Sequence, residues 1–151
     1  MSKNHLQRIL VALVSLFMIF SSCSFMFAKP ALKGTTWKAV QEMFVADAGT
    51  MTINHTLVFI SAREVVVKYS SYLPSYPAMY MNPDGTIDTM PGMSNETEET
   101  CGYTFKHGIL AVTRKSGGQE ILHYELNGTF TRKESWGEVV VYKQVKEEKE
   151  K

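Results

Sequence analysis

Thr100-Cys101-Gly102-Tyr103-Thr104-Phe105-Lys106-His107-Gly108-Ile109-Leu110 decides the fold. Cys101, Tyr103 and Phe105 share one face of an extended chain, while Thr104 and Lys106 share the other. Successive strand side chains point to opposite sides, so this two-residue period predicts a half-buried β-strand. His107-Gly108 then marks a reversal, because glycine supplies the positive φ that tight turns demand.

The same pattern extends in both directions. Ile121 to Leu126 sets Leu122, Tyr124 and Leu126 against His123 and Glu125. Val65, Val67 and Tyr69 share a face within Glu64 to Tyr69, and Thr56 to Ile60 is dense in β-branched and aromatic residues. Glu138 to Val145 reads as a closing strand, apolar on both faces at Val139 to Val141. Asn127-Gly128, between two such runs, predicts a two-residue hairpin, and Ser116-Gly117-Gly118 marks another reversal. From Leu32 onward no apolar spacing of three and four residues is sustained, so no amphipathic helix is predicted. About eight strands in roughly 115 residues is the density of a barrel or sandwich.

One stretch breaks this rhythm. Ser70 to Thr97 holds Pro74, Pro77, Pro83 and Pro91 among tyrosines, methionines and polar residues. Proline lacks a ladder donor, so the stretch reads as a long loop, with room for an edge hairpin around Asp84-Gly85.

Composition sets the outer bounds. The chain has 151 residues, 44% of them hydrophobic, with sixteen basic and fifteen acidic side chains. That suits one globular domain and argues against disorder. Near-neutral charge removes the usual electrostatic case for nucleic acid as a partner. Two cysteines supply neither a disulfide scaffold nor a four-thiolate zinc site.

Residues 1–28 read as an address. Lys3 and Arg8 precede an apolar run from Ile9 to Phe20, followed by Ser21-Ser22-Cys23. The order resembles a bacterial lipobox, in which Cys23 becomes the lipidated first residue and ties the protein to a membrane. Ordinary signal-peptidase exits, at Ser22-Cys23-Ser24 or Met26-Phe27-Ala28, and an uncleaved anchor are the alternatives. All three export the body, to the periplasm or outer membrane as a lipoprotein, or as a secreted or N-terminally anchored protein. The domain then spans residues 29–145, and residues 146–151 form a wholly charged tail.

Leu32-Lys33-Gly34-Thr35-Thr36-Trp37 opens the body, Tyr103 to Leu110 sits late in it, and Val140-Val141-Tyr142-Lys143 closes it. In that order the chain resembles the exported, lipocalin-like (calycin-type) lipoproteins of Gram-negative bacteria. The resemblance implies an all-β, small antiparallel up-and-down barrel of about eight strands, a lumen for one small apolar molecule, and no catalysis. It also implies that Trp37 plugs one barrel end under a basic side chain, for which Arg132 and Lys143 are the candidates. Gly34 and Trp37 are three residues apart here, where the family pattern has two.

No catalytic or metal constellation emerges from the residue order. His5, His55, His107 and His123 lack partners at ligand spacing, no HExxH or CxxC occurs, and neither a metal nor a cofactor is expected. His107 and His123 read as surface residues, and Cys101 as a small core residue. Asn82, Asp84 and Asp88 miss the calcium-loop spacing and read as an ordinary turn. No G-x-S-x-G is present. The candidate site is therefore apolar: Phe59, Val67, Tyr69, Tyr103, Phe105, Leu122 and Tyr124 on one parity, with Trp37 at the barrel end. These residues line a ligand cavity or simply fill the core. Tyr72, Tyr76, Met79, Tyr80 and Met81 in the 70–97 loop are candidates to cover the mouth or to dock a protein partner. Two functions follow: a membrane-tethered barrel binding a small apolar ligand, or a non-enzymatic structural or interaction lipoprotein with a filled core.

Overall fold

A computed structural model describes residues 30–146. The leader with Cys23 and residues 147–151 of the tail lie outside the described residues. Ten strands follow one another with no helix among the described residues: β1 (Thr36–Val45), β2 (Gly49–Phe59), β3 (Glu64–Leu73), β4 (Tyr76–Met81), β5 (Ile87–Met90), β6 (Met93–Lys106), β7 (Ile109–Thr113), β8 (Gln119–Tyr124), β9 (Phe130–Lys133) and β10 (Val139–Val145). Eight of them close an antiparallel barrel in the order β1-β10-β9-β8-β7-β6-β3-β2. Each barrel strand pairs with the next in sequence, apart from the β1–β10 pair that closes the barrel and the β3–β6 step, where β4 and β5 form a separate two-stranded sheet. The architecture is the all-β, up-and-down, lipocalin-like barrel expected from the alternation.

Parity sorts the residues. Trp37, Ala39 and Gln41 of β1, His55, Leu57 and Phe59 of β2, and Val65 and Val67 of β3 are buried at every second position. Cys101, Leu110, Val112, Leu122, Phe130, Val140 and Tyr142 continue the set around the wall. Closure gives this face a single interior, so a one-residue slip of register would turn every one of these side chains to solvent.

The turns are of two kinds. His107 (φ 51°) and Gly108 (φ 77°) form the two-residue link between Lys106 and Ile109, whose left-handed residues match the strand twist. Asn127-Gly128 forms a longer link than the dipeptide predicts. Gly128 N–H donates to Glu125 C=O at 3.0 Å, Glu125 N–H to Thr129 C=O at 2.8 Å, and only Gly128 of the pair has positive φ. Asn127 Oδ1 instead accepts from the Thr129 N–H and hydroxyl, which holds the asparagine out of the left-handed region. Residues 114–118 and 134–138 repeat the pattern, with Gly117 and Gly137 in the glycine place.

The expected long loop is mostly strand. β3 runs on to Leu73, β6 begins at Met93, and Leu73 pairs with Met93 as the tenth pair of a continuous ladder. The two-stranded β4–β5 sheet tolerates Pro77 because each of its strands has an unpaired edge. Residues 82–86 turn the hairpin. Asn82 donates to Thr86 and Asp88, and the Asp84 carboxylate accepts from the Thr86 N–H and hydroxyl, as an ordinary turn requires.

Gly92 fixes how this hairpin rejoins the barrel. A Cβ there would stand 2.7 Å from Leu73 O and 3.0 Å from Ser75 N, and backbone atoms cannot swing away. Gly92→Ala is therefore expected to destabilise by about 1–3 kcal/mol, read as a lowered urea midpoint. Gly118→Ala meets only the Ser116 hydroxyl at 3.7 Å and is expected to stay within about 0.5 kcal/mol of the parent.

Candidate functional site

The up-and-down order gives the barrel two unlike rims. One is formed by the turns at 60–63, 107–108 and 125–129 and by the paired ends of β1 and β10 at Thr36 and Val145. It is closed by aromatic rings. Trp37 meets Phe130 edge-on at 4.7 Å and Tyr124 at 6.4 Å, Phe105 meets Phe130 at 5.8 Å, and Phe59 meets Tyr103 at 4.9 Å. Edge-to-face pairs of this kind add stabilisation beyond the area they bury. Trp37 Nε1 donates to the Thr35 hydroxyl at 2.9 Å, Tyr103 Oη to Ser61 C=O at 3.1 Å, and Leu32 is buried against the cluster.

The eight residues expected to line the barrel all belong to its interior. Trp37, Phe59, Val67 and Leu122 are buried, and Tyr69, Tyr103, Phe105 and Tyr124 are half-buried against the same core. Six of them gather at the closed rim or just inside it. The basic partner expected over Trp37 is found elsewhere. Arg132 lies two residues along β9 from Phe130, with its guanidinium 6.0 Å from the Tyr142 ring, and Lys143 faces outward beside Lys38. Aromatic rings cover Trp37 instead.

The second rim carries the charge. Arg132 binds Glu120 and Glu134, and Arg114 binds Glu120 at 3.1 Å and Glu99 at 3.4 Å. Tyr69 Oη donates to the Glu120 carboxylate at 2.8 Å and accepts from Arg114 at 2.7 Å. Arg114 also stands 5.1 Å over the Tyr69 ring. The backbone N–H of Lys115 donates to Glu99, tying the 114–118 turn to β6. Three carboxylates thus face two guanidiniums, and the Glu120 side chain is only 10% exposed.

Proton affinities follow from this packing. Burial pushes Glu120 upward, but Arg132, the Tyr69 hydroxyl and Arg114 outweigh it and hold the carboxyl below its ordinary value. Burial and the nearby Glu120 raise Tyr69 to about 12. Tyr142 is raised by burial first and Glu120 second. His55 sits edge-on to Tyr69 at 4.9 Å and Tyr142 at 5.9 Å. Burial, then Arg132, lowers it to about 4, so it is neutral at pH 7. Both His55 ring nitrogens and Tyr142 Oη are sealed from solvent without a hydrogen-bond partner.

The residue pattern singled out neither Glu120 nor Arg114 nor His55, although each is one step along an inward parity: Glu120 before Leu122, Arg114 after Val112, His55 before Leu57. In the former loop region, Tyr72, Tyr80 and Met81 are exposed, Tyr76 is half-buried, and Met79 lies in β4. Tyr72 is out of phase with Tyr69 and faces away from the interior. His107 and His123 are exposed and Cys101 is buried. Among the described residues no group of three or more His, Cys, Asp or Glu side chains is placed to hold a metal ion. Compared with protein-family models, curated proteins and solved structures, the chain matches none.

Two outcomes are expected. Glu120→Gln takes from each guanidinium one of its two carboxylate partners, leaving Glu99 to Arg114 and Glu134 to Arg132, and should cost about 1.5–3 kcal/mol, read by chemical denaturation. His55 is depressed in the folded state, so its contribution is whole above pH 6.5 and fades as pH falls toward 4. The shift from 6.5 to about 4 corresponds to roughly 3 kcal/mol across that window. A stability–pH curve of His55→Phe should lack this fall, while the wild type shows it.

Proposed function

We propose that this is an exported, lipocalin-like protein, tethered to a membrane through Cys23, whose barrel binds a small and largely apolar molecule. The observation that carries this reading is the orphaned pair in the barrel interior. Buried polar groups in folded proteins are almost always partnered, and leaving one bare costs about 1–3 kcal/mol. His55 and Tyr142 leave three such atoms together, in an interior otherwise lined by apolar side chains. A bound molecule that reaches them would recover that cost.

Binding fits the cluster better than catalysis does. A general acid or base needs a proton affinity near the working pH. Glu120 is held ionised, Tyr69 is held protonated and His55 is held neutral, so none exchanges protons near pH 7. Export rests on the leader, with its cationic start, apolar run and Ser21-Ser22-Cys23. A second reading, a docking lipoprotein with a filled core, is favoured by Tyr72, Tyr80, Met81, Ile87 and Met93, which are exposed on and beside the β4–β5 sheet.

Native mass spectrometry of the protein purified from its own host, without added ligand, tests the choice. A defined extra mass that leaves on denaturation is the expected result. A bare polypeptide that also fails to gain mass from fatty acids, fatty alcohols and sterols would discard the ligand and favour docking.

A further inference from the structure

The outer face of the barrel is bare and apolar over the β1–β10 seam. We propose that this face is a two-fold interface on which a second copy of the chain packs, with β1 running antiparallel to β1. Such pairing is independent of what the barrel holds.

Outward parity selects the strip. Along β1 the outward positions read Lys38, Val40, Glu42, Phe44, and along β10 they read Val139, Val141, Lys143. Val40 is 65% exposed, Phe44 76%, Val139 52% and Val141 41%. Single exposed apolar side chains need no explanation, but four on two neighbouring strands form a patch of the kind that marks an interaction site. Polar residues bound it on both sides: Val40 pairs with Asn54 and Glu42 with Thr52 on β2, while Val141 pairs with Thr131 and Val139 with Lys133 on β9. An apolar centre with a polar rim is the ordinary anatomy of an interface.

Charge decides what covers the strip. Lys38 and Lys143 stand directly opposite each other in the β1–β10 ladder, an unfavourable like-charge pair. Among the described residues neither lysine has an acidic partner, and Glu42, four residues along from Lys38, has no basic one. A second copy turned about a two-fold axis at the level of Val40, perpendicular to the strands, lays its Glu42 over Lys38 and beside Lys143. Symmetry makes the same contact at the other end. Val40 then meets its own counterpart, and Phe44 covers the Thr36–Val145 end of the other copy. A parallel arrangement would set lysines on lysines. A lipid surface would strip water from Glu42 without supplying a counter-ion. The seam gains as well, because its backbone pairing stops at Lys38–Lys143 and a copy straddling both strands clamps β10 to β1.

The test is cross-linking of the full chain in its own host with a bismaleimide short enough to span the roughly 10 Å between stacked sheets. Val40→Cys places a thiol at the axis, and Thr104→Cys, exposed on β6 across the barrel, is the control. The parent chain, whose Cys101 is buried, sets the background. Val40→Cys is expected to give a species of twice the chain's mass at least about ten-fold more abundantly than Thr104→Cys. Adding Lys38→Glu should lower that yield about two- to ten-fold, and Glu42→Lys on top of it should restore most of the loss. All four positions are exposed, so the substitutions leave the core intact. Equal yields at residues 40 and 104 overturn the interface, whether the strip is then bare or covered by another protein or by lipid. A high yield at residue 40 that the charge reversals do not change overturns the antiparallel pairing.

Discussion

Glu120 places a carboxylate inside the barrel, 10% exposed, and the second half of the interior is arranged around that charge. Removing an ion from water costs several kcal/mol, which partners must offset nearly in full. Four side chains do so from three strands or the turns that follow them: Tyr69 of β3, Arg114 after β7, Arg132 of β9 and, through Arg132, Glu134 just after β9. The cluster therefore stitches together wall segments that share little backbone pairing. β8 and β9 exchange only His123↔Thr131 and Tyr124↔Phe130, and the Glu120–Arg132 pair bridges the same two strands further along. Neither ion alone would be tolerated there.

The barrel interior is consequently amphipathic along its axis. Aromatic rings close one rim with their few polar atoms satisfied locally, Trp37 by Thr35 and Tyr103 by Ser61. Aliphatic side chains occupy the middle, among them Leu57, Val67, Val112 and Leu122. Charges crown the other end. His55 and Tyr142 stand where the aliphatic and charged zones meet, and that position explains their orphaned state. They are too deep for water, and Arg132 and Tyr69 have already committed their polar atoms to carboxylates.

How much of this the residue order carries depends on the sign of the inward side chain. Where the inward residue is apolar, alternation reveals it, and Val65-Val67-Tyr69, Cys101-Tyr103-Phe105 and Leu122-Tyr124 all face inward as their parity requires. Where it is polar, the same rule hides it. Glu120 looks like a solvent residue ending the run Leu122-Tyr124, and Arg132 like the outward neighbour of Phe130, because hydropathy carries no information about a distant counter-ion. The first half of β6, Met93 to Glu99, is mostly exposed and polar on both faces, so it shows no alternation. Only its ladder with β3 makes it a strand. Four prolines by themselves favour a loop, yet each lies at an end, a turn or an open edge where no donor is missed.

The seam gives the two rims different mechanical character. β1 and β10 pair by backbone only at Thr36–Lys38 with Lys143–Val145, all at the aromatic rim. Toward the charged rim a side chain takes over: Gln41 Nε2 donates across the seam to Glu138 at 2.7 Å, and Trp136 Nε1, on the Glu138 side, donates to the same carboxylate oxygen at 3.1 Å. Glu138 is accessible to water, and exposed contacts of this kind contribute little each. Backbone ladders backed by packed rings open rarely, whereas a seam held by one side-chain amide yields at small cost. A ligand of the proposed class therefore has its lower barrier at the charged rim, beside β10, and β10 is the strand that presents Tyr142.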